Sequence, residues 1–392
     1  MARIVFQLGR EWEICFFELR QVAATWGLKP EPLSDSLAEI RDFPFHRGLA
    51  SFCNQLGGTI RAIYCWDEDP PSFRENFQKG KVFLPKGPWA VSTLEEDLAL
   101  QREEIRQFIK DLINDHPQAR GREERTIPGD TQVVPSRVFQ NVLQRGGAEV
   151  CLWREGSEVR YGKTEWIFSP EEYADRDIGK PNRPQRRGLL PPKLARQMVN
   201  LARTQNMKTL LDPFCGSGVI LIEGLALKLC VWGSDFRDEA LDQSRENLEW
   251  FRTGSTRNPE LVKGLTRVDA RQLSLSFRPL SFDAVVGEGD LGPPLRGPVP
   301  RKTAISLAKS LERLYIPTFA EIRTILKPGG RVCLAVPFWI PEEGDPIEVN
   351  LKRRLALMGY QPVLPDRGFD PLQYNRPGQR VGRALYVLES PL

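Results

Sequence analysis

The alternation of apolar and polar positions changes character at about residue 191. Before that point, short apolar runs at 4–8 and 60–64 read as strands. Residues 12–26 repeat their apolar positions at helical spacing, and the whole predicts a small α+β unit. Pro70, Pro71, Pro85 and Pro88 then interrupt the pattern and mark a boundary. Residues 94–114 return to helical spacing, a charged loop covers 115–130, and a strand at 131–134 and a helix at 136–145 follow. Strands at 149–153 and 158–161 are joined by Glu155-Gly156-Ser157, a hairpin-like turn. From 191 to about 357 strands alternate with helices, which argues a parallel, doubly wound sheet. The end departs from this rhythm. Runs at 361–364 and 383–388 read as strands with only a loop between them, predicting an antiparallel pair that closes the sheet. No internal repeat is visible.

Within the alternating half, one stretch carries most of the chemistry. Residues 210–222 read Leu-Leu-Asp-Pro-Phe-Cys-Gly-Ser-Gly-Val-Ile-Leu-Ile: an apolar strand ending in Asp212, a turn with Gly216 and Gly218, and an immediate helical pattern. Glycines let the backbone approach a ligand with no Cβ in the way, and the first free N–H groups of the helix face that ligand. A pyrophosphate-binding turn needs a third glycine at the helix start, where Ile220 and Leu221 stand here. A carboxylate at the loop is a poor neighbour for a pyrophosphate and a good one for a cation. S-adenosylmethionine, with its sulfonium and α-ammonium, fits better than NAD.

The downstream spacing supports this cofactor. Residues 230–235 form a second strand ending in Asp235, placed to take both ribose hydroxyls. A third strand, 265–268, ends in Asp269 followed by Ala270 and Arg271, where a side chain can reach the adenine amino group. Incidental acids on a Rossmann-type unit are the bland alternative, and three acids at three successive strand tips argue against it.

Composition narrows the class. At 392 residues the chain should divide into two or three domains, and 41% hydrophobic with 27% charged residues is ordinary for a globular protein. No apolar run reaches membrane-spanning length, and the N-terminus turns polar too quickly for a signal peptide, so a cytoplasmic location is expected. Seven scattered cysteines without a Cys-x-x-Cys pair, and two histidines, exclude an obvious zinc site or disulfide framework. Cys215 reads as a small packing residue beneath the cofactor rather than a nucleophile, since neither histidine is near it in sequence. The net charge of +4 is too small to imply nucleic acid, but its distribution is uneven. Arg176, Lys180, Arg183, Arg186, Arg187, Lys193 and Arg196 face one acid, Asp177, in a Pro/Gly-rich linker. A second basic stretch holds Arg296, Arg301, Lys302 and Lys309. Clustered cations of this kind are the footprint of phosphate-backbone binding, with a solvated linker as the bland alternative.

Five segments together resemble the THUMP-containing tRNA guanosine-N2-methyltransferases. They are the opening Phe-Gln-Leu-Gly-Arg, the linker Arg-Asp-Ile-Gly-Lys-Pro-Asn-Arg-Pro, the helix start Gly-Leu-Leu-Pro-Pro-Lys-Leu-Ala, the loop Asp-Pro-Phe-Cys-Gly-Ser-Gly, and the tail Tyr-Asn-Arg-Pro-Gly-Gln-Arg-Val-Gly-Arg. The resemblance implies a ferredoxin-like α+β region over 1–70, a THUMP-like RNA-binding domain over 71–170, a basic linker over 171–190, and a Rossmann-like methyltransferase domain over 191–392. The last would be an α/β fold with a mostly parallel doubly wound sheet and an antiparallel C-terminal strand. The implied cofactor set is Asp212, Phe214, Gly216, Gly218, Asp235, Asp269 and Ala270 for S-adenosyl-L-methionine. The implied partner is tRNA, gripped in part by Arg183, Arg186 and Arg187. No membrane is involved, and the need for a small activating partner subunit is left open.

One segment departs from the family's pattern. There the fourth strand ends in an acidic or amide residue, then proline, then commonly proline and an aromatic that stacks on the base. Here 282–286 runs into Gly287-Glu288-Gly289-Asp290-Leu291-Gly292-Pro293-Pro294. Glu288 occupies the acceptor's place, Gly289 stands for the proline, and Asp290 for the aromatic. A flexible glycine is expected to loosen the acceptor. Asp290 reads as a second acceptor, a general base or a solvated loop acid. Glu288 and Asp290 are the candidate catalytic residues, because amine methylation by in-line attack needs positioning and nearby negative charge. The expected activity is transfer of a methyl group to an exocyclic amine, guanine N2 in the tRNA core. The alternative is a non-catalytic RNA-binding protein that keeps a methyltransferase fold, and a DNA or protein amino-methyltransferase is a third reading.

Overall fold

The computed structural model describes residues 2–45, 48–66, 87–115, 135–183, 189–253, 259–293, 295, 297 and 299–391. They fall in two units, Met1–Trp12 with Gly27–Glu171, and Glu13–Trp26 with Glu172–Leu392.

The first unit is built on one seven-stranded sheet. Its strands are β1 (Ala2–Leu8), β2 (Glu31–Pro32), β3 (Leu37–Phe43), β4 (Thr59–Cys65), β5 (Trp89–Thr93), β6 (Ala148–Glu155) and β7 (Glu158–Ile167), in the order β2-β3-β1-β4-β7-β6-β5. Strands from both expected regions, 1–70 and 71–170, are thus paired through β4 and β7. The predicted hairpin is present: Glu155 pairs with Glu158 across a turn in which Gly156 takes a positive φ of 62°. Apolar side chains alternate along these strands and bury Val5, Ile63, Cys151 and Trp153 in one cluster and Val91, Val150 and Leu152 in another, which Ile109 of helix Ala99–Asp115 joins. An ion pair crosses this interior, with Arg61 Nη1 donating to Glu149 Oε1 at 2.7 Å and Ser92 and Thr164 hydroxyls donating to the same carboxylate. The strand expected at 131–134 lies outside the described residues.

The second unit carries a nine-stranded sheet. Its path runs β10 (Val262–Arg267), β9 (Cys230–Asp235), β8 (Thr209–Asp212), β11 (Phe282–Glu288), β12 (Leu326–Trp339), β16 (Val381–Glu389) and β14 (Gln361–Pro362). β13 (Ile347–Glu348) pairs with β12, and β15 (Leu372–Tyr374) pairs with β16. β10 through β12 are mutually parallel, while β16 runs antiparallel to both β12 and β14. The predicted parallel sheet and its antiparallel closure are therefore both present. β15 lies inside the segment expected to be loop, and its three residues are stabilised by pairing with Leu385, Ala384 and Arg383 rather than by any pattern of their own. Helices Pro192–Leu201 and Val219–Ala226 contribute to one apolar layer, and Arg301–Ile325 to the other. The N-terminal helix Trp12–Ala24 was expected with the first unit. Its residues from Glu13 onward belong to the second, where Ile14 joins the core and Asn200 Nδ2 donates to Glu18 Oε1 at 2.7 Å.

Candidate active site

The strand order fixes where a ligand can enter. From β8 the chain steps outward to β9 and β10, then returns to β11 on the other side of β8. At such a reversal the two neighbouring loops part, and a crevice opens at the carboxyl ends of the strands. A cavity of about 350 Å³ is found there, lined among others by Asp212, Phe214, Gly216, Arg237, Glu288 and Asp290.

The glycine turn forms one wall. Gly216 and Gly218 have φ of 50° and 82°, a backbone that side-chain-bearing residues adopt at a cost. A Cβ on Gly218 would also lie 3.0 Å from Ser244 Oγ. The turn is held from three sides. Gly216 N–H donates to Asp235 Oδ2 at 3.2 Å, Ser244 Oγ donates to the Gly216 carbonyl at 2.9 Å, and Asn247 Nδ2 donates to the Ser217 carbonyl at 2.8 Å. Ser244 and Asn247 sit three apart on one face of helix Asp238–Thr253, so a single helix supports both carbonyls.

The acids at the strand tips have different surroundings. Asp212 is buried, accepts from Phe214 N–H at 3.0 Å, and its carboxyl is held well above the usual range by burial, with Asp235 and Glu288 adding negative charge nearby. A carboxyl in such surroundings resists ionising until a cation is placed beside it. Asp235 accepts from the Gly216 and Arg237 backbone N–H groups and from Arg237 Nε at 3.3 Å. Arg237 is nearly half exposed and lines the cavity, so its guanidinium can yield to hydroxyl donors. Asp269 is spent locally: it caps its own turn through Arg271 N–H and pairs with the Arg271 guanidinium, which lowers its pKa. Of the cofactor residues expected from the sequence, Asp212, Phe214 and Gly216 line the cavity, whereas Gly218, Asp235, Asp269 and Ala270 do not. Cys215 does line it, but burial pushes its thiol up and its Sγ lies 3.6 Å from Ser244 Oγ.

Opposite the glycine turn lies the loop after β11. Gly287 is in tight quarters, where a Cβ would stand 3.1 Å from Asp212 Oδ1 and 3.2 Å from both Leu334 and Pro213. Gly289 is required by space, because a Cβ there would collide with the ring of buried Tyr315. The loop is not loosened by this glycine, as the sequence suggested. Gly289 N–H donates to the Ala335 carbonyl at 3.1 Å and Tyr315 Oη donates to the Asp290 carbonyl at 2.8 Å, pinning both residues. A proline at 289 would lose the first bond and strike the tyrosine. Asp290 is exposed, with Oδ1 accepting from Gly292 N–H at 2.9 Å, a side-chain turn within the loop.

Glu288 has a partner the sequence did not reveal. Arg383 Nε, from β16, donates to Glu288 Oε1. The Arg383 side chain is 3% exposed and its guanidinium carbon lies 5.8 Å from the centroid of the Tyr374 ring. Burial raises the Glu288 pKa and Arg383 opposes that rise. Arg383 was read only as part of a tail motif, and the 95 residues between the partners hide the pairing from any local pattern.

The linker resolves into two parts. Arg176 and Arg196 are buried and share Glu223, Arg176 Nε at 2.7 Å from Oε1 and Arg196 Nε at 2.7 Å from Oε2. Lys180 is also buried. These three cations serve the interior. Arg183 is exposed, 3.9 Å from Asp177, and Arg186 and Arg187 lie outside the described residues.

A doubly wound sheet of this order, with a glycine turn, acids at the strand tips and a cavity at the reversal, defines a Rossmann-like α/β domain with a ligand cleft at its reversal point. Residues 182–338 match the model of the UPF0020 family, described as an RMKL-like methyltransferase domain. Among curated relatives, the tRNA (guanine(10)-N2)-dimethyltransferase of Methanothermobacter thermautotrophicus is 33% identical over 156 residues, 40% of this chain and 41% of that protein. The tRNA (guanine(6)-N2)-methyltransferase of Thermus thermophilus is 27% identical over 223 residues, 54% of this chain and 59% of that one. The chain spans about half the length of the curated relatives it matches. The solved structure of SMU.472, complexed with SAH, aligns over 100% of this chain and 98% of its own with a TM-score of 0.50 at 13% identity, a likeness of fold.

Proposed function

We propose that the chain is an S-adenosylmethionine-dependent tRNA methyltransferase acting on an exocyclic amine, guanine N2. One observation carries the reading. Asp212, a buried carboxylate at a glycine turn, and Glu288, a carboxylate at the end of the neighbouring strand, face one cavity at the sheet's reversal point. The curated relatives named for guanine-N2 methylation support the substrate class.

Asp212, Phe214, Gly216, Gly218 and Asp235 would hold the cofactor. The residues fit it: a buried acid for a cation, a turn with no side chains to obstruct, and a second acid able to exchange Arg237 for ribose hydroxyls. Bound there, S-adenosylmethionine would supply an electrophilic methyl group. Glu288 accepts a hydrogen bond from the target amine, turns its lone pair toward the methyl, and stabilises the positive charge that grows on nitrogen. Asp290, exposed and lining the cavity, would receive the proton the methylated amine sheds. Asp269 and Ala270 would contribute through the position of the β10 tip, since Val268 N–H donates to the Asp235 carbonyl at 3.1 Å. For RNA, Arg183, Arg186 and Arg187 in the linker join Lys302, Lys309 and Arg313, which are exposed along helix Arg301–Ile325. The THUMP-like reading of the first unit and a cytoplasmic location belong to the same proposal.

A second reading has its own observation. Glu288 Oε1 is already taken by Arg383 and no aromatic stands at 290 or 291, as a non-catalytic RNA-binding descendant would show. Incubating the protein with S-adenosylmethionine and bulk tRNA, then analysing nucleosides by mass spectrometry, decides between them. Formation of N2-methylguanosine that Glu288→Ala abolishes, with cofactor affinity kept, supports catalysis. Binding of both ligands without methyl transfer supports the second reading.

A further inference from the structure

The tail segment 374–383 reads Tyr-Asn-Arg-Pro-Gly-Gln-Arg-Val-Gly-Arg, and its residues dictate a rigid shape. β15 and β16 pair antiparallel with Tyr374 opposite Arg383, so the segment closes a hairpin. Proline fixes the backbone at 377, and Gly378 takes a positive φ of 78°. Gln379 N–H donates to the Arg376 carbonyl at 3.0 Å, which completes a type II turn. Both flanks are anchored. Arg376 Nε donates to Tyr374 Oη at 2.9 Å, and the Arg380 carbonyl accepts from Ile340 N–H at 2.9 Å. The side chains of Arg376 and Arg380 are exposed, and among the described residues neither guanidinium has a carboxylate partner. Two like charges are thus held beside one fixed turn without neutralisation, an arrangement that favours an anion.

The position of the turn indicates which anion. β16 starts at Val381, level with Trp339 of β12, and β12 runs parallel to β11, where Ala335 is level with Glu288. Trp339 lies four positions past Ala335, about 13 Å further along the strand. The turn therefore stands beyond the carboxyl ends of the strands, outside the cavity lining. Tyr374 links it to the site: Arg383 Cζ lies 5.8 Å from the centroid of its ring, and Arg383 Nε donates to Glu288 Oε1. The cavity itself is acidic, with Asp212, Glu239, Glu288 and Asp290 against Arg237. Such a lining attracts a cationic cofactor and repels a polyanion, so RNA brought to it needs cations at the mouth. A base that reaches the cavity has left its stack, which leaves its own ribose-phosphate at that mouth.

We propose that the turn 376–380 is a phosphate clamp, in which the guanidinium groups of Arg376 and Arg380 bind the backbone of the RNA segment whose base enters the cavity. This rests on the reading of the cavity as an RNA-methylating site. With Arg376 Nε engaged by Tyr374, its two Nη groups remain to donate. An arginine fork matches a phosphate with parallel N–H bonds, and the contact is blind to base identity.

The test uses the full chain with bulk tRNA and S-adenosylmethionine. It compares the native protein with a double variant, Arg376→Gln with Arg380→Gln, and with a second, Arg376→Lys with Arg380→Lys. Both sites are exposed, so thermal midpoints should stay near native. The glutamine variant should keep native affinity for S-adenosylmethionine and bind tRNA roughly tenfold or more weakly. Its slope of log affinity against log salt should fall by roughly two, one for each lost phosphate contact. The lysine variant keeps both charges. It should hold the native slope and recover only part of the affinity, since an ammonium cannot repeat the fork. Phosphate-ethylation interference locates the contact. Ethylation beside the methylated nucleotide should block binding by the native protein and cease to matter for the glutamine variant. A native slope in the glutamine variant overturns the clamp and leaves the proposed function standing. A slope that falls equally in the lysine variant also overturns it, by marking the arginines as structural, as does interference that persists beside the methylated nucleotide. No methyl transfer to any RNA by the native protein overturns the proposed function and the clamp with it.

Discussion

Asn247 holds Asn182 by both of its backbone polar groups: its Oδ1 accepts from the Asn182 N–H at 2.8 Å and its Nδ2 donates to the Asn182 carbonyl at 2.9 Å. The same Nδ2 reaches the Ser217 carbonyl at 2.8 Å, so one buried amide ties the linker to the glycine turn. Replacing it by alanine would leave one buried and two part-buried backbone groups without this partner. Each such group costs about 1–3 kcal/mol. Asn247→Ala should therefore lower stability by roughly 2–4 kcal/mol and weaken S-adenosylmethionine binding, because the turn loses a support on its ligand side. Denaturant unfolding and titration calorimetry would check both. A wild-type midpoint with wild-type affinity would show that the amide supports nothing.

The basic linker supplies a prediction that separates charges of identical type. Arg176 shares Glu223 with Arg196 inside the second unit, whereas Arg183 is exposed. Arg176→Ser should cost about 1.5–3 kcal/mol by leaving one oxygen of the buried Glu223 without its charged donor while Arg196 holds the other, with the salt dependence of tRNA binding unchanged. Arg183→Ser should leave the unfolding midpoint within about 0.5 kcal/mol of native and reduce the slope of log affinity against log salt by roughly one. Binding measured across a salt series, beside unfolding curves, reads both. The assignment fails if the two substitutions exchange effects.

That contrast shows how far the sequence carried the fold and the site. The strand–turn–helix around Asp212, the acid ending β9 and the antiparallel closure by β16 are written in local pattern, because periodicity, glycine and strand-end acids act over a few residues. What decides between an exposed cation and a buried one is a partner far along the chain. Glu223 lies 47 residues from Arg176, and Arg383 lies 95 from Glu288. A run of seven cations therefore looked uniform when three of them are buried. The same limit misjudged Gly289. Read along the chain it is a loosened proline position, while across the fold it is the space that Tyr315 requires. Helix Trp12–Ala24 was assigned by adjacency, yet its apolar face is completed by groups such as Met198 and Val199 in the same core cluster as Ile14.

Asp212 should make cofactor binding depend on pH in a defined direction. Its carboxyl is raised by burial and by neighbouring negative charge. A cationic ligand favours the ionised form, so affinity should rise with pH through that raised pKa and level off above it, with proton release on binding in the same window. The folded state holds this proton to higher pH than the unfolded state does, so the group costs stability progressively as pH rises above the ordinary carboxylate value. Asp212→Asn should consequently raise the thermal midpoint of the free protein at pH 7–8, yet weaken S-adenosylmethionine binding by roughly tenfold or more through the lost charge. Calorimetry in buffers of different ionisation enthalpy counts the protons. A stabilised variant with native affinity would remove Asp212 from the cofactor site.

Tyr315 and Gly289 give a prediction in which two damaging changes should partly cancel. The tyrosine fills the space beside residue 289 and its hydroxyl donates to the Asp290 carbonyl at 2.8 Å. Gly289→Ala forces a methyl group into that ring and should destabilise by about 1–3 kcal/mol, as overpacked sites do. Tyr315→Ala removes a buried aromatic and should cost about 3–5 kcal/mol. In the double variant the alanine methyl no longer meets a ring, so the total should fall short of the sum by at least about 1 kcal/mol. Activity should follow a different course. Both single variants and the double variant displace Glu288's neighbours, so all three should lose methyl transfer while S-adenosylmethionine binding at the opposite wall persists. Tyr315→Phe isolates the hydroxyl: it keeps the ring, releases the Asp290 carbonyl, and should cost about 1 kcal/mol. If Gly289→Ala proves neutral in unfolding and kinetics, the loop is free to move away from the tyrosine, and the glycine is not there for want of space.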